Sequence, residues 1–425
     1  RLRKQIEDKR FLTAGWDDCS LDVYRRFQAA PLQFLTPDPT ETTASIGGMV
    51  ACNASGARSF RYGATRNHVH ALRLVLTSGE TLALTRGRER ASGRSLTLLT
   101  EQGRTILVEL PTYALPGTKS ASGYYAADDM DAVDLFIGSD GTLGVISQIE
   151  LILQPLPPVI WGATCFFTRE GQALEFVKSI RRTGDPKLTA IEYFDEWVLK
   201  LLAAHKAANP AYARLLLPAP GFHCAIYCEL QGEQESSVLN SLLQLGDAMR
   251  ATGSDPGDSW VARTAFDKDQ LIFFRHAAPE CVNSVIDQRR RNEPAITKLG
   301  TDMSVPDDCL DKVMTLYHNT LAESGLESAI WGHIGNNHVH VNILPRNMEE
   351  YQEGKRLYRY WAEQVVAMGG AVSAEHGVGK LKAEYLALMY GKRHMAEMAS
   401  VKAVFDPENL LGVGNLFTAV KNEGV

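Results

Sequence analysis

The stretch Gly332-His-Ile-Gly-Asn-Asn-His-Val-His-Val-Asn342 sets two histidines, His333 and His340, on either side of a Gly-Asn-Asn sequence. Residues 339–344 alternate between apolar and polar side chains, which predicts a strand with His340 and Asn342 on one face. Glycine and asparagine tolerate positive φ, so the sequence predicts a tight hairpin. Such a hairpin would bring His333 close to His340.

A second segment, Ser373-Ala-Glu-His-Gly-Val-Gly-Lys380, adds Glu375 and His376 between glycines that permit close approach of a ligand. For either hairpin histidine alone, a hydrogen-bonded core side chain beside an Asx-rich turn is the better interpretation. The combination favours a functional site, because each titratable group must be desolvated and then given partners.

Segments rich in glycine and small residues precede the histidines: Thr36-Pro-Asp-Pro-Thr-Glu-Thr-Thr-Ala-Ser-Ile-Gly-Gly48, Cys52-Asn-Ala-Ser-Gly56, Arg61-Tyr-Gly63 and Gly138-Ser-Asp-Gly-Thr-Leu-Gly-Val-Ile146. Such segments let backbone N–H groups face a phosphate or a cofactor ring without Cβ interference. The chain has no Gly-x-Gly-x-x-Gly after a strand and no Walker-type Gly-Lys-Ser/Thr, which argues against a nicotinamide Rossmann site and a P-loop.

These motifs, in this order, resemble the FAD-linked D-2-hydroxy acid dehydrogenases of the vanillyl-alcohol oxidase superfamily. That group includes D-lactate dehydrogenases, the glycolate oxidase large subunit and D-2-hydroxyglutarate dehydrogenase. The family's turn reads Asp-Gly-Asn where this chain has Asn336, Asn337 and His338. The resemblance covers nearly the whole chain and implies an α+β fold, in which a vanillyl-alcohol-oxidase-type FAD-binding domain is joined to an antiparallel-sheet cap domain.

The resemblance implies an FAD-binding domain over residues 1–156, a cap domain carrying the substrate and metal sites over 157–395, and a return to the FAD domain over 396–425. Pro155–Pro158 is the expected linker. In the cap, apolar patterns predict strands alternating with helices. The predicted strands are Val159–Phe167, Phe222–Leu230, Ile296–Met303, Ser328–Gly332 and His338–Leu344; the predicted helices are Glu170–Arg182, Glu235–Ala251, Asp307–Ser324 and Glu350–Met368.

The resemblance also implies a glycine-rich loop that holds the FAD pyrophosphate ahead of the Pro-Asp-Pro segment, and the chain does not show one. Residues 1–31 resemble the start of the family, whereas Leu32 and its successors resemble a point much further along. We therefore hypothesise that a segment is missing between about Pro31 and Leu32. A genuine deletion is the alternative, and it would remove the pyrophosphate cradle.

From the resemblance, a divalent metal such as zinc or manganese would bind His333, His340 and Glu375, with His376 as general base and Asn342 orienting substrate or flavin. Arg275 would grip the substrate carboxylate, for which a planar guanidinium is suited; a surface arginine with a packed stem is the alternative. Lys298 is a second candidate cation. The family has a lysine at the position of Gly300, and Lys298 is expected on the same face of that strand. The alternative is a plain strand lysine. The chain segments implied to contact non-covalent FAD contribute Pro37, Asp38, Thr43, Ser45, Ile46, Gly47, Gly48, Asn53, Ala54, Ser55, Gly56, Gly63, Gly141, Thr142, Gly144, Val145 and Ile146.

Composition fits a multidomain enzyme, with 425 residues, 45% of them hydrophobic, and a net charge of −6 that offers no general attraction for nucleic acid. Seven cysteines, dispersed and odd in number, favour a reducing, cytoplasmic setting. We expect no transmembrane segment, which leaves peripheral association at the inner face of the membrane open. The expected partners are a small 2-hydroxy acid, a second copy of the chain in a homodimer, and a separate electron acceptor: a quinone, an electron-transfer flavoprotein or an iron–sulfur protein.

Three other interpretations remain at this stage. A flavin-free metal-dependent hydrolase would use the same His-His-Glu set but leaves the glycine-rich segments unexplained. A non-catalytic or electron-transfer subunit of a larger oxidase complex would not need the intact Glu375-His376 pair. A non-redox flavoenzyme such as alkylglycerone-phosphate synthase would share the FAD segments.

Overall fold

The computed structural model describes residues 32–39, 41 and 43–417. They belong to two compact units. The smaller unit contains described residues 32–34 and 153–156, where strands β1 (Gln33–Phe34) and β7 (Gln154–Pro155) pair in antiparallel fashion. The larger contains described residues from 35 to 152 and from 157 to 417. The gap hypothesised near Pro31 and Leu32 lies outside the described residues, because Pro31 is not among them.

The first part of the larger unit is built on an antiparallel sheet of order β3-β2-β6 and a separate β4–β5 hairpin. Alternate residues of β2 and β3, such as Leu72, Leu74 and Leu82, are buried and form one core with the helix α3. The elements are β2 (Val69–Val75), β3 (Thr81–Thr85), β4 (Ser95–Leu99), β5 (Thr105–Glu109), β6 (Val145–Leu151), α1 (Ile46–Cys52), α2 (Ser59–Tyr62) and α3 (Ala132–Phe136).

The second part is built on a seven-stranded antiparallel sheet of order β11-β8-β10-β9-β13-β14-β12. Its central strands are buried along almost their whole length, as a sheet covered on both faces requires. The strands are β8 (Val159–Phe167), β9 (Leu188–Asp195), β10 (Cys224–Gly232), β11 (Ser259–Ala262), β12 (Leu299–Gly300), β13 (Ser328–Gly332) and β14 (His340–Ile343).

Helices cover both faces of this sheet. In α4, Ala173, Phe176, Val177 and Ile180 recur at helical spacing and pack into one core, which α6, α8 and α9 complete. Helices α5 and α7 form the core on the other face. The helices are α4 (Glu170–Arg182), α5 (Glu196–Ala208), α6 (Glu235–Ala251), α7 (Ala265–Arg289), α8 (Leu310–Ser324) and α9 (Met348–Ala367). A further helical segment, α10 (Ala383–Phe405), is kinked at Gly391 and packs Leu386, Met398 and Phe405 into the core of the first part.

The predicted antiparallel sheet covered by helices is confirmed, and four predicted elements match their bounds: β8, β13, α4 and α6. The predicted strand over 296–303 is wrong in extent. Only Leu299 and Gly300 pair with β14, and Ser304 instead forms isolated bridges with His338 and Ala371.

One further element needs correction. The prediction missed β9, which is the central strand between β10 and β13. Helix α7 also contains Pro279 and continues through it. A proline costs the helix one backbone hydrogen bond, and here Leu271, Phe274 and Ala278 bury that helix against the sheet.

The hairpin predicted from the opening stretch is confirmed, since Trp331 pairs with His340 across β13 and β14. Asn337 takes a left-handed conformation at φ 51° and ψ 37°, at the position where the family has glycine. Gly332 has φ 130°, and a Cβ there would lie 2.8 Å from the His340 ring. The turn is therefore tight enough to place both histidine rings on one side, with centroids 5.5 Å apart.

Among the described residues, no helix is both long enough and apolar enough to cross a membrane.

Gly56 is predicted to be irreplaceable for stability. A Cβ at Gly56 would lie 2.0 Å from the backbone oxygen of Asp38, and no side-chain rotation relieves a backbone clash. We expect Gly56→Ala to lower the free energy of unfolding by about 3 kcal/mol, the upper range for overpacking. Gly47→Ala is the matched control, because a Cβ there meets nothing within 4 Å and alanine favours α1. Urea unfolding of both variants checks this, and equal stability of the two would contradict it.

Candidate active site and metal centre

His333, His340 and Glu375 converge on one point, as the sequence predicted. The Nε2 atoms of His333 and His340 lie 3.0 Å and 3.2 Å from the same carboxylate oxygen, Oε1 of Glu375. His333 and Glu375 are buried, and His340 is half-buried. The hairpin supplies the two rings, and the loop after α9 supplies the carboxylate.

The outer nitrogens of both rings are held by hydrogen bonds that orient the inner ones. His333 Nδ1 lies 2.8 Å from Oε1 of Glu192, and His340 Nδ1 lies 3.0 Å from the carbonyl oxygen of Thr301. Both partners accept, so each Nδ1 donates. If both rings were neutral, each Nε2 would turn a lone pair toward the Glu375 oxygen, an arrangement that requires a proton or a cation between them.

The charges around His333 also favour a positive charge at this point. Burial opposes a charge on this ring, but Glu192 and Glu375 outweigh it and raise the pKa of His333 to about 9. Burial also opposes a charge on Glu375 and by itself would raise its pKa, yet His333 and Lys119 hold that pKa well below its ordinary value. The point between the three side chains therefore attracts positive charge.

The second oxygen of Glu375 has different partners. Oε2 accepts hydrogen bonds from Ser55 Oγ at 2.9 Å and from Lys119 Nζ at 2.7 Å. Ser55 follows α1, so the Glu375 carboxylate ties a predicted FAD segment directly to the histidine pair. Oε1 is left to face the histidines.

Asp302 holds the Glu375–His376 loop in place. Its fully buried carboxylate accepts the backbone N–H groups of Glu375 and His376 at 3.1 and 3.0 Å, and the Ser373 hydroxyl and Lys382 ammonium at 2.6 Å each. Burial would raise the pKa of Asp302, but Lys382 and His376 outweigh it and hold that pKa well below its ordinary value.

His376, the predicted general base, stands at the cavity wall with 59% of its side chain accessible. Its ring stacks on that of His340, with centroids 5.3 Å apart and planes 10° from parallel. Asp302 favours its charged form, but burial by the surrounding atoms, together with His340 and Lys382, lowers the pKa of His376. A neutral imidazole that faces the cavity can accept a proton near neutral pH.

The other predicted catalytic residues lie nearby in different settings. Asn342 is buried and donates toward the carbonyl oxygens of His340 and Ala329 at 3.2 and 3.4 Å. Arg275 is buried in α7, where it pairs with Asp38 at 3.1 Å. Lys298 reaches the wall and has no ion-pair partner in the part of the chain that the structure describes. Gly300 has Asn342 Oδ1 at 2.9 Å from where a Cβ would stand, so a lysine there would displace Asn342.

Two groups contain all but one of the predicted FAD residues. The α1 group is tied to the 138–146 segment by hydrogen bonds from Gly138 N to Val50 O and from Asp140 N to Ala51 O. The remaining residue, Gly63, ends α2 at φ 77°, two residues before Thr65, whose N–H donates to the Ala54 carbonyl. The first group holds Pro37, Asp38, Thr43, Ser45, Ile46, Gly47, Gly48, Asn53, Ala54, Ser55 and Gly56; the second holds Gly141, Thr142, Gly144, Val145 and Ile146.

These residues fit part of an FAD site. A Cβ at Gly47 or Gly141 would meet nothing within 4 Å, so the backbone there is open to a ligand. Val145 and Ile46 beside them are 57% and 40% exposed, an apolar surface suited to an aromatic ring. Among the described residues we identify no pyrophosphate cradle.

One cavity of ≈ 630 Å³ joins part of the first group, at residues 54–56, to the His333, His340 and Glu375 set. Its wall is shared by the FAD segment, the helix α7, the strand β14 and the Glu375 loop. The lining includes Ala54, Ser55, Gly56, His276, Asn283, Lys298, His333, His340, Asn342, Glu375 and His376.

Four charged residues of this site were not predicted from the sequence: Lys119, Glu192, Asp302 and Lys382. Of Asp302, what was missed is that its carboxylate holds the Glu375–His376 loop. Glu192 had a detectable signal, since it is a carboxylate inside the apolar run Ala190-Ile-Glu-Tyr-Phe194. Lys119 had none, because it lies in an irregular segment and meets Glu375 256 residues later.

Comparisons with known proteins place the chain in a family. Residues 156–416 match the model described as FAD linked oxidases, C-terminal domain, and residues 23–85 match an FAD binding domain. The chain belongs to the family of FAD-linked oxidases and is an FAD-linked oxidoreductase, which confirms the resemblance and overturns the flavin-free hydrolase alternative.

Among curated relatives, the chain is 25% identical over 406 residues to glycolate oxidase subunit GlcD of Bacillus subtilis, covering 94% of this chain and 73% of that protein. It is 26% identical to D-lactate dehydrogenase of Anaerostipes hadrus, covering 89% and 70%. It is also 26% identical to D-2-hydroxyglutarate dehydrogenase of Xanthomonas citri, covering 88% and 69%.

Solved structures agree on the fold. A 4-ethylphenol oxidase from Gulosibacter chungangensis matches with a TM-score of 0.58 at 15% identity, covering 93% of this chain and 74% of that one. An alkyldihydroxyacetonephosphate synthase matches with a TM-score of 0.57 at 15% identity, covering 92% and 60%. The vanillyl-alcohol-oxidase-type fold predicted from the sequence is confirmed.

Replacing the buried Asp302 is predicted to destabilise the protein strongly. Asp302→Asn removes the charge that Lys382 pairs with and turns an amide donor toward N–H groups, a change worth about 3–5 kcal/mol. Asp128→Asn is the control, since that exposed partner of Arg94 is expected to contribute less than about 1 kcal/mol. Urea unfolding at neutral pH measures both. Similar small losses would show that Asp302 does not hold the loop.

Proposed function

We propose that this chain oxidises a D-2-hydroxy acid, of the D-lactate, glycolate or D-2-hydroxyglutarate class, to the 2-oxo acid. The electrons would leave FAD for a separate acceptor, a quinone, an electron-transfer flavoprotein or an iron–sulfur protein. The observation that carries this proposal is the cavity in which a predicted FAD segment, the His-His-Glu set, a neutral histidine and a lysine with no ion-pair partner among the described residues meet. Relatives named for these acids support it.

FAD, when bound, supplies the two-electron acceptor for the hydrogen leaving the substrate Cα. His333, His340 and Glu375 would hold a divalent metal, whose Lewis acidity lowers the pKa of a coordinated hydroxyl group. Glu192 and the Thr301 carbonyl keep both rings in the tautomer that such ligation needs. A ligand set of three side chains is typical of catalytic sites that keep a position for substrate.

His376 is the proposed base. It lies beside Glu375 and stacks on His340, so a hydroxyl group held at the histidine pair would be near its ring. Its lowered pKa keeps it unprotonated at neutral pH, ready to take the hydroxyl proton. Asp302, through the His376 backbone N–H, positions the residue.

Lys298 is the proposed carboxylate-binding cation at the cavity wall. Its ammonium group has no ion-pair partner among residues 32–39, 41 and 43–417, so an incoming carboxylate need not displace one. Arg275 is buried and is already paired with Asp38. Its direct contact with substrate stays a prediction.

Anaerobic flavin reduction tests the proposal. The chain, reconstituted with FAD and zinc or manganese, is mixed with D-lactate, glycolate, D-2-hydroxyglutarate and L-lactate. We expect at least one of the first three to bleach the oxidised-flavin absorption, with L-lactate slower. A flavin that none of these acids reduces would overturn the proposed activity.

His376→Ala is predicted to slow flavin reduction by about 10²–10⁴-fold, the range of general-base catalysis, while FAD binding persists. His223→Ala is the matched control, because His223 is also half-exposed, at 53%, and faces a carboxylate, Glu196, outside the cavity. Stopped-flow reduction and FAD titration measure the two effects. Unchanged reduction by the first variant would remove His376 as the base.

The pH profile of flavin reduction should follow the protonation of the His376 imidazole. Because its pKa is lowered from the ordinary 6.5, the neutral base persists as pH falls through 6.5, and the rate declines only at more acidic pH. Reduction rates at saturating substrate between about pH 5 and 8 measure this. A decline that begins above pH 6.5 would contradict the assignment.

A further inference from the structure

Lys119 places an ammonium group inside the candidate metal centre. Its Nζ atom lies 2.7 Å from Glu375 Oε2 and 3.2 Å from His338 Nδ1, and only 7% of its side chain is accessible. Both of these neighbours, Glu375 and His338, belong to the group of side chains around the candidate metal centre. Glu375 is a proposed metal ligand, and His338 replaces the family's asparagine in the hairpin turn.

His338 offers a fourth donor to the same centre. Its ligand atom lies within 4.8 Å of those of His333, His340 and Glu375. Its ring is fully buried, with its centroid 4.5 Å from that of His340. Four nitrogen and oxygen donors at this separation could surround a metal completely, as in closed structural sites.

The hydrogen bond between Lys119 and His338 shows why His338 does not join the other three. An ammonium only donates, so His338 Nδ1 must accept from Lys119, and the ring proton must sit on Nε2. That Nε2 lies 3.2 Å from Asp302 Oδ1. The one available lone pair of His338 is therefore occupied by Lys119.

The backbone keeps Lys119 in this position. Its carbonyl oxygen accepts the Ser304 hydroxyl at 2.5 Å, Thr118 donates to the Val305 carbonyl at 3.1 Å, and Ala121 N–H donates to Ser373 O at 2.8 Å. The segment is thus attached on both sides of Lys119 to the elements that carry Asp302 and Glu375.

We propose that Lys119 keeps His338 out of the metal ligand set, so that the metal retains three protein ligands and an open position for substrate. This role presupposes the metal site proposed above. It makes Lys119 a positioning residue, and it makes the His338 substitution compatible with catalysis.

Metal affinity and coordination test this without reference to activity. Lys119→Met keeps the stem and removes the ammonium, freeing His338 Nδ1. We expect zinc affinity, measured by competition with a chromophoric chelator, to rise by about tenfold or more, the scale on which groups around metal ligands act. The visible absorption of bound Co²⁺ should intensify toward that of a four-coordinate ion.

The double variant Lys119→Met/His338→Ala separates ligation from charge. If His338 becomes a ligand, the gain disappears in the double variant; if the loss of a positive charge alone strengthens binding, the gain persists and the proposal is overturned. Lys382→Met is the control, since it removes a buried lysine from the adjoining Asp302 network without touching His338. An equal gain there would also overturn the proposal.

The outcomes distinguish this inference from the proposed function. Metal binding by the wild-type chain with no gain in Lys119→Met overturns the role of Lys119 alone. No metal binding by either chain overturns the metal site and this inference together. Flavin reduction by a 2-hydroxy acid, measured separately, decides the proposed activity in each case.

Discussion

The buried Asp302 carboxylate is the constraint on which the rest of the site depends. An isolated charge in that position would be prohibitively costly, so the loop 373–376 and Lys382 close around it and supply four donors. Because two of those donors are consecutive backbone N–H groups, their side chains are directed differently. Glu375 faces the histidine pair, and His376 stands at the cavity wall.

Glu375 then divides its two oxygens between separate tasks. One faces the Nε2 atoms of His333 and His340, and the other binds Ser55 and Lys119. This division joins the predicted FAD segment at Ser55 to the hairpin that carries the two histidines. It also favours positive charge at the histidine pair, since Glu192 and Glu375 together raise the pKa of His333.

Much of this arrangement was predictable from local patterns. The hairpin with its two histidines, the glycine-bounded Glu375-His376 loop and several cap helices follow from periodicity and turn chemistry over short distances. The prediction failed where pairing partners are distant. Strand β9 lacks clean alternation because it is buried on both faces, and β12 is short because the chain after Gly300 bonds to the 338–341 and 371–374 segments instead of extending the sheet.

Residue types and their spacing were therefore enough to identify the family and to predict the FAD segments and the three metal-ligand candidates. Only the tertiary structure decided which charges neutralise which. It paired Arg275 with Asp38, left Lys298 facing the cavity, and set Lys119 between Glu375 and His338. The physical reason is that electrostatic partners are selected by proximity in a desolvated interior, and that proximity joins residues hundreds of positions apart in the chain.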